Sequence, residues 1–289
     1  MEKTTKEVSL YEDEINLIFY SKSHRYKIKG KKDWLISATS ATGIINKPFL
    51  IIWATRLAGD YLKDYVSGLE FEPFPTITKD ELIAKIEEAI RQHEIKKKEA
   101  ADIGSQVHEW AEAFAFAKIM NIALPPLKAD EFKKWAIDNN FQAEEDIEAV
   151  ALDSGNYDER IIAGINAFLD WHNNNQVEFL DIERCVYSRK YDYCGIFDAV
   201  AKINGKLCLI DYKTSKGVYP EFFLQSSAYL KADEEESGRE YAGIKILHFD
   251  KLSGQFSEHD RELSEVSKDF QAFLGLLETK KWLKNFDAS

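Results

Sequence analysis

Apolar and polar residues follow a short period along three stretches near the start of the chain, Ile15–Tyr20, 25–29 and 34–37, with polar turn residues between them and Gly30 in one turn. This pattern predicts strands. The period then lengthens. Leu50, Trp53, Ala54, Leu57, Ala58, Tyr61 and Leu62 recur at helical spacing behind Pro48, which predicts a helix over 49–66. After a proline-containing loop over 71–77, Thr78 and Glu81 form a capping-box pattern. It opens a second helical run to about Ile119, with a break expected near Gly104. Pro125 and Pro126 end that run, and 128–152 read as acidic and mostly helical or irregular. A third helix is expected over 158–174. The character of the chain then changes: 177–190, 193–203 and 206–214 are strand-like, a helix runs from Pro220 to about Lys231, strands follow near 244–249 and 256–258, and a helix closes the chain over 264–286. Helices in front and a strand–strand–strand–helix–strand core behind define an α/β or α+β protein. With no long flexible linker, the pattern favours one domain over 1–289. Its parts are N-terminal strands (1–48), a helical region (49–176) and a core (177–289).

Composition changes this picture little. Acidic residues outnumber basic ones by 50 to 38, for a net charge of −12. That opposes a surface adapted throughout to nucleic acid, yet leaves room for a basic cleft. Between Lys22 and Lys32 lie six Lys or Arg and no acid; the stretch reads either as a solvated, aggregation-resistant edge hairpin or as a phosphate-contacting patch. Cys185, Cys194 and Cys208 form no C-x-x-C and read as core thiols in a reducing compartment. The start of the chain lacks a secretory pattern and no apolar run reaches membrane-spanning length, so a cytoplasmic protein without membrane association is expected.

The chemistry concentrates in G-I-F-D-A-V-A-K-I-N-G-K-L-C-L-I-D-Y-K-T-S, residues 195–215. Asn204-Gly205 between two apolar runs predicts a two-residue hairpin, because a type I′ turn needs two positive φ angles. Ile203 then faces Lys206, and the same register sets Asp198 against Asp211. Directly opposed residues have Cβ atoms about 4.5–5.5 Å apart, so two carboxylates meet among Ile196, Val200, Leu207 and Leu209. Like charges so placed destabilise a sheet unless one is protonated or a divalent cation bridges them. Oxygen ligands of this kind suit Mg²⁺ or Mn²⁺. Lys213, two residues on, projects from the same face. A lysine beside such an ion suits phosphodiester hydrolysis, in which it orients water or neutralises charge on phosphoryl oxygens.

Other residues are candidates to join them. In G-S-Q-V-H-E-W-A-E-A-F, 104–114, Val107, Trp110, Ala111 and Phe114 form a core stripe; His108 lies beside it with Glu112 one turn on. His108 is either structural or a ligand completing what two aspartates begin. Gln225 and Tyr229 share a helix face, where they either hold a nucleic acid strand or simply pack. Thr214, Ser215 and Lys216 follow the lysine strand as phosphate contacts or a plain turn, and Glu183 on the preceding strand is a further metal or water contact to consider.

With these residues laid out, the chain resembles the PD-(D/E)XK nuclease superfamily, in particular its RecB-like and phage-type exonuclease branch. The matching motifs are G-S-Q-V-H at 104–108, G-I-F-D at 195–198, D-Y-K at 211–213 and Q-S-S-A-Y at 225–229. The stretch I-S-A-T-S-A-T-G-I-I-N-K-P-F-L-I-I-W-A at 36–54 is also similar to phage-type members. The resemblance implies a restriction-endonuclease-like mixed sheet flanked by helices, with a helical N-terminal insertion. It implies metal ligation by His108, Asp198, Asp211 and the Tyr212 carbonyl, Lys213 as the catalytic lysine, and Gln225 and Tyr229 in DNA binding. The cysteines of iron–sulfur relatives are missing, so no iron–sulfur cluster is expected. A stand-alone Mg²⁺- or Mn²⁺-dependent DNA exonuclease of recombination, repair or DNA degradation follows, bacterial or phage-encoded, with recombination or replication proteins as partners to consider. A non-cleaving nucleic-acid-binding protein on the same fold and a small-molecule phosphoesterase are the competing readings.

Overall fold

The computed structural model describes residues 5–69, 77–141, 157–250 and 255–287. Within it the chain divides into two compact units, Asn46–Ile103 and the remainder, Met1–Ile45 with Gly104–Ser289. The smaller unit holds α2 (Pro48–Ser67) and the first part of α3 (Lys79–Met120), linked by hydrogen bonds from the Tyr61 hydroxyl to Glu88 and from Lys85 Nζ to the Tyr61 hydroxyl. The capping box forms as expected: Thr78 N–H donates to Glu81 Oε2 at 2.8 Å and Glu81 N–H to Thr78 Oγ1 at 3.1 Å. The break expected near Gly104 is absent, and α3 is one helix of 42 residues.

The larger unit opens with a three-stranded antiparallel sheet, β1 (Thr5–Leu10), β2 (Ile15–Tyr20) and β3 (Arg25–Ile28). The first strand is not signalled by the sequence; its Lys6, Glu7 and Ser9 interrupt any clear apolar period. The central sheet contains β4 (Ile36–Ser37), β5 (Val177–Ser188), β6 (Tyr193–Ile203), β7 (Lys206–Ser215), β8 (Gly243–Asp250) and β9 (Phe256–Glu262). It is mixed: β6 runs antiparallel to β5 and β7 but parallel to β4, and β7 is parallel to β8. Helices α6 (Pro220–Ser237) and α7 (Leu263–Asp287) share a core with Val200, Leu209, Ile244 and Ile246. The end of α3 and α5 (Glu159–Asn174) contribute Trp110, Phe114 and Phe168; Phe168 meets the other two rings edge-on, and the group reaches Phe179 and Tyr212 of the sheet. Helix α6 is longer than its sequence signal and stops where Gly238 takes φ +67°. Helix α4 (Ala129–Asp138) realises the first part of the acidic region expected over 128–152, whose residues from 142 on lie outside the described ones, as do 71–76 of the expected loop. No helix among the described residues is long and apolar enough to cross a membrane.

The strand partners of β6 position the site. Along one edge β5 pairs with it from Tyr193 to Ile203. Along the other edge β7 pairs only with 199–203 and β4 only with 193–194. Residues Gly195 to Asp198 lie between these two partners, so the sheet forks at G-I-F-D.

Candidate active site

The hairpin register is the expected one: Ile203 faces Lys206, Ala199 faces Ile210, and Asn204 and Gly205 take φ +50° and +78°. The ladder stops one pair short of the two aspartates. Beyond Ala199 the strands part, and Asp198 Oδ2 accepts the Tyr212 N–H at 2.6 Å. The side chain thus satisfies a backbone donor that the parting strand leaves free. Each carboxylate takes its own cation. Asp198 Oδ1 lies 3.4 Å from His108 Nε2, whereas Asp211 Oδ2 lies 2.6 Å from Lys213 Nζ.

His108 and Glu112, one turn apart on α3, meet at 3.0 Å. With Asp198 they bring one ligand atom each to within 4.8 Å of one another. The helix spacing sets the first pair, and burial of Val107, Trp110, Ala111 and Phe114 turns that face toward the fork. Glu112 joins the group through its i, i+4 relation to His108, which is visible in the sequence and makes it a possible additional site residue there.

The electrostatics follow from this crowding. Burial works against the His108 cation, but the Glu112 and Asp198 carboxylates outweigh it and raise its pKa well above the usual imidazole range. For Asp198 burial also opposes charge, and His108, Lys213 and the Tyr212 N–H prevail, so its pKa is lowered. Burial pushes Asp211 up to about 6 with help from Asp198, against the pull of Lys213 and the Ser226 hydroxyl. Lys213 is held charged by Asp211 and Asp198 despite its burial.

The floor of the fork comes from α6. A Cβ on Gly195 would lie 2.2 Å from Tyr229 Cε1, so only glycine admits this ring. Gln225 Nε2 donates to Tyr229 Oη at 2.5 Å and to Thr39 Oγ1 at 2.7 Å. Thr39 belongs to α1 (Ala38–Thr42), which directly follows β4. Burial pushes the Tyr229 phenol up to about 12, with Lys213 acting against that rise. Sequence reasoning missed Thr39, whose stretch resembles phage-type members, and Ser226, which sits inside Q-S-S-A-Y.

The remaining predicted residues are placed as follows. The Tyr212 ring packs edge-on against His108, with centroids 5.4 Å apart. Glu183 takes φ +43° and its carboxylate lies 3.9 Å from Lys6 Nζ, outside the His108–Glu112–Asp198 group. Thr214 and Ser215 end β7, paired with Phe249 and Asp250, and Ser215 O contacts His248 Nε2 at 2.9 Å. Lys216 is exposed just beyond. All three cysteines are free and buried.

These residues fit a divalent cation. His108 Nε2 and Asp211 Oδ2 are buried atoms with no hydrogen bond among the described residues, although charged partners lie within ion-pair distance. The imidazolium between two carboxylates stands where an ion's charge would be, and metal binding displaces such a proton. Carboxylates with one imidazole form a reasonable ligand set for a first-row or alkaline-earth ion.

A mixed sheet forked at two acids and a lysine defines a nuclease-like core, and comparison with known proteins agrees. The family model of the PD-(D/E)XK nuclease superfamily matches residues 82–284, more than half of the chain, and the protein belongs to that superfamily. Among solved structures the chain is similar to SSO0001 at 16% identity and a TM-score of 0.28, over 54% of this chain and 72% of that one. It is also similar to LHK-Exo in complex with dAMP, at 14% identity and a TM-score of 0.26, over 65% of this chain and 96% of the other. No curated protein matches the sequence.

Proposed function

We propose that the protein is a metal-dependent DNA nuclease, a stand-alone exonuclease of the RecB-like or phage type that hydrolyses phosphodiester bonds in recombination, repair or DNA degradation. The observation that carries this reading is the convergence at one fork of His108, Glu112 and Asp198, within 4.8 Å, beside the Asp211–Lys213 pair at 2.6 Å. A binding module has no use for two acids gathered around an imidazole with a third acid close by on β7, since they would repel phosphates.

In this reading His108 Nε2, Asp198 and Asp211 hold Mg²⁺ or Mn²⁺ with the Tyr212 carbonyl, and Glu112 adjoins them. When bound, the ion supplies Lewis-acid polarisation of a phosphoryl oxygen. Lys213 keeps a full positive charge at the fork and neutralises the charge that develops on the phosphoryl oxygens. Asp211 fixes the position of that ammonium. Gln225 and Tyr229, braced by Thr39, orient the strand, and Thr214, Ser215 and Lys216 contact phosphates beyond β7. Asp198 holds the N–H of Tyr212 and with it the spacing of the two halves of the fork. The protein works in the cytoplasm, where recombination or replication proteins are its natural partners.

The test is digestion of end-labelled linear DNA and closed circular DNA with Mg²⁺ or Mn²⁺, by wild type and Lys213→Ala. Loss of linear substrate alone, abolished in the variant, is expected. Equal activity in the variant removes the mechanism, and cutting of the circle removes the exonuclease assignment.

A further inference from the structure

The structure contains a cleft of about 510 Å³ that the proposed chemistry does not use. It lies between β3, the start of α1 and the last turns of α7, and Arg25, Trp34, Ser37, Ser40, Lys280 and Lys284 are on its wall. Among the described residues no carboxylate lines it, in a chain with a net charge of −12. A local excess of cations without acids is the footprint expected for phosphates, and it is the more telling on an acidic protein. The cleft also has a flat aromatic element. The Arg25 guanidinium lies 4.0 Å over the Trp34 ring, with Lys27 at 5.2 Å. Lys284 Nζ donates to the Trp34 carbonyl at 2.9 Å, which ties α7 to this wall. A guanidinium stacked on an indole offers a planar surface for a base, and a base can lie there only when it has left its own stack.

The position of the cleft links it to the fork. Ser37, at the end of β4, and Ser40 of α1 line the cleft, and the Ser40 N–H donates to Ser37 Oγ at 3.1 Å. Thr39, between them in sequence, accepts from Gln225 on the side of Lys213. One five-residue helix therefore carries both the cleft wall and the brace of the candidate active site.

We propose that this cleft holds a single-stranded segment of nucleic acid that is continuous with the strand at the fork. Arg25, Lys280 and Lys284 contact successive phosphates, and a base rests on the Arg25–Trp34 stack. The choice of occupant rests on the nuclease reading. The basic run at 22–32 then acts in part as a phosphate patch, with Arg25 on the cleft wall and Lys29 paired to Glu7 at 2.6 Å.

The test measures fluorescence anisotropy of labelled dT20 in EDTA, where no cutting occurs, against wild type and an Arg25→Ala/Lys280→Ala double variant. Neither residue is buried, and an unchanged melting curve checks that the variant is folded. At about 0.7 per phosphate contact on a single strand, the slope of log affinity against log salt should fall by about 1.4. The affinity near 0.1 M salt should fall about tenfold. An abasic 20-mer with the same phosphates should bind wild type several-fold more weakly than dT20, and that difference should shrink in Arg25→Ala. Unchanged dT20 affinity and slope in the double variant overturn the inference. An equal loss on a 20-bp duplex overturns the single-strand assignment. Wild-type protein that cuts no DNA with Mg²⁺ or Mn²⁺ would sink the nuclease reading while leaving the binding result to judge the cleft on its own.

Discussion

Replacing Gly195 by alanine tests the packing on which the fork depends. The new methyl group would sit 2.2 Å from Tyr229 Cε1, 2.9 Å from Cδ1 and 3.2 Å from Cζ. Ordinary carbon–carbon contact is about 3.5–4.0 Å, so the ring must move by more than about 1 Å. It has little freedom to do so. Its hydroxyl is bonded to Gln225, its surroundings are buried, and on the other side Gly195 is pinned by pairing with Val186. Overpacking of a buried site costs about 1–3 kcal/mol, and loss of the Gln225 bond adds about 1 kcal/mol. A total near 3 kcal/mol corresponds to a fall in Tm of roughly 6–12 °C for a chain of this size. Activity on DNA should fall with it, because the displaced phenol lies beside Lys213. Thermal melts by circular dichroism of Gly195→Ala, Tyr229→Ala and the double variant measure this. The double variant should be no less stable than Tyr229→Ala alone, since the clash then has no partner. A Gly195→Ala protein melting within about 1 °C of wild type, or strictly additive losses in the double variant, would refute the reasoning.

Three further outcomes follow from the same geometry. Lys213→Ala should reduce DNA cleavage by at least about 10²-fold, the scale of losing one donor aimed at developing charge, while circular dichroism at pH 5 stays native. In metal-free protein, Asp211 contributes a pH dependence whose sign is set by its raised pKa. Its stabilising share is present below the unfolded value of 3.8 and is lost as pH rises through about 6. That is about 1.4 kcal/mol per pH unit and about 3 kcal/mol in all. The difference between wild-type and Asp211→Asn stabilities in EDTA should therefore change across pH 4–6 by that amount; a constant difference contradicts it. Thr39→Val, which removes the acceptor for Gln225 at an exposed position, should lower DNA cleavage several-fold with a Tm change of no more than about 2 °C, read by the same two assays.

Much of the fork was legible in the sequence because its determinants are local. Asn204-Gly205 specifies the turn and, through it, the register of β6 and β7. Helical spacing puts Glu112 under His108 and Tyr229 above Gln225. What was not legible depends on contacts between distant segments. Thr39 reaches the site only because β4 pairs with Tyr193 and Cys194, more than 150 positions away, and no spacing rule announces a two-residue parallel strand. The gap between β4 and β7 has the same origin, so the turn alone extends the ladder one pair too far, to Asp198 and Asp211. Gly195 reads as an ordinary strand glycine until the Tyr229 ring is seen against it. Glu183 follows the alternation of its strand on paper, but its positive φ turns it out of the pattern and toward Lys6.

Whether the acids and the imidazole at the fork hold a divalent ion is measured by titrating chelator-stripped protein with Mn²⁺ in a calorimeter. The expected result is saturable binding in wild type that is lost in Asp198→Asn and in His108→Ala. No uptake of Mn²⁺ by wild type, or uptake undiminished in both variants, would contradict it.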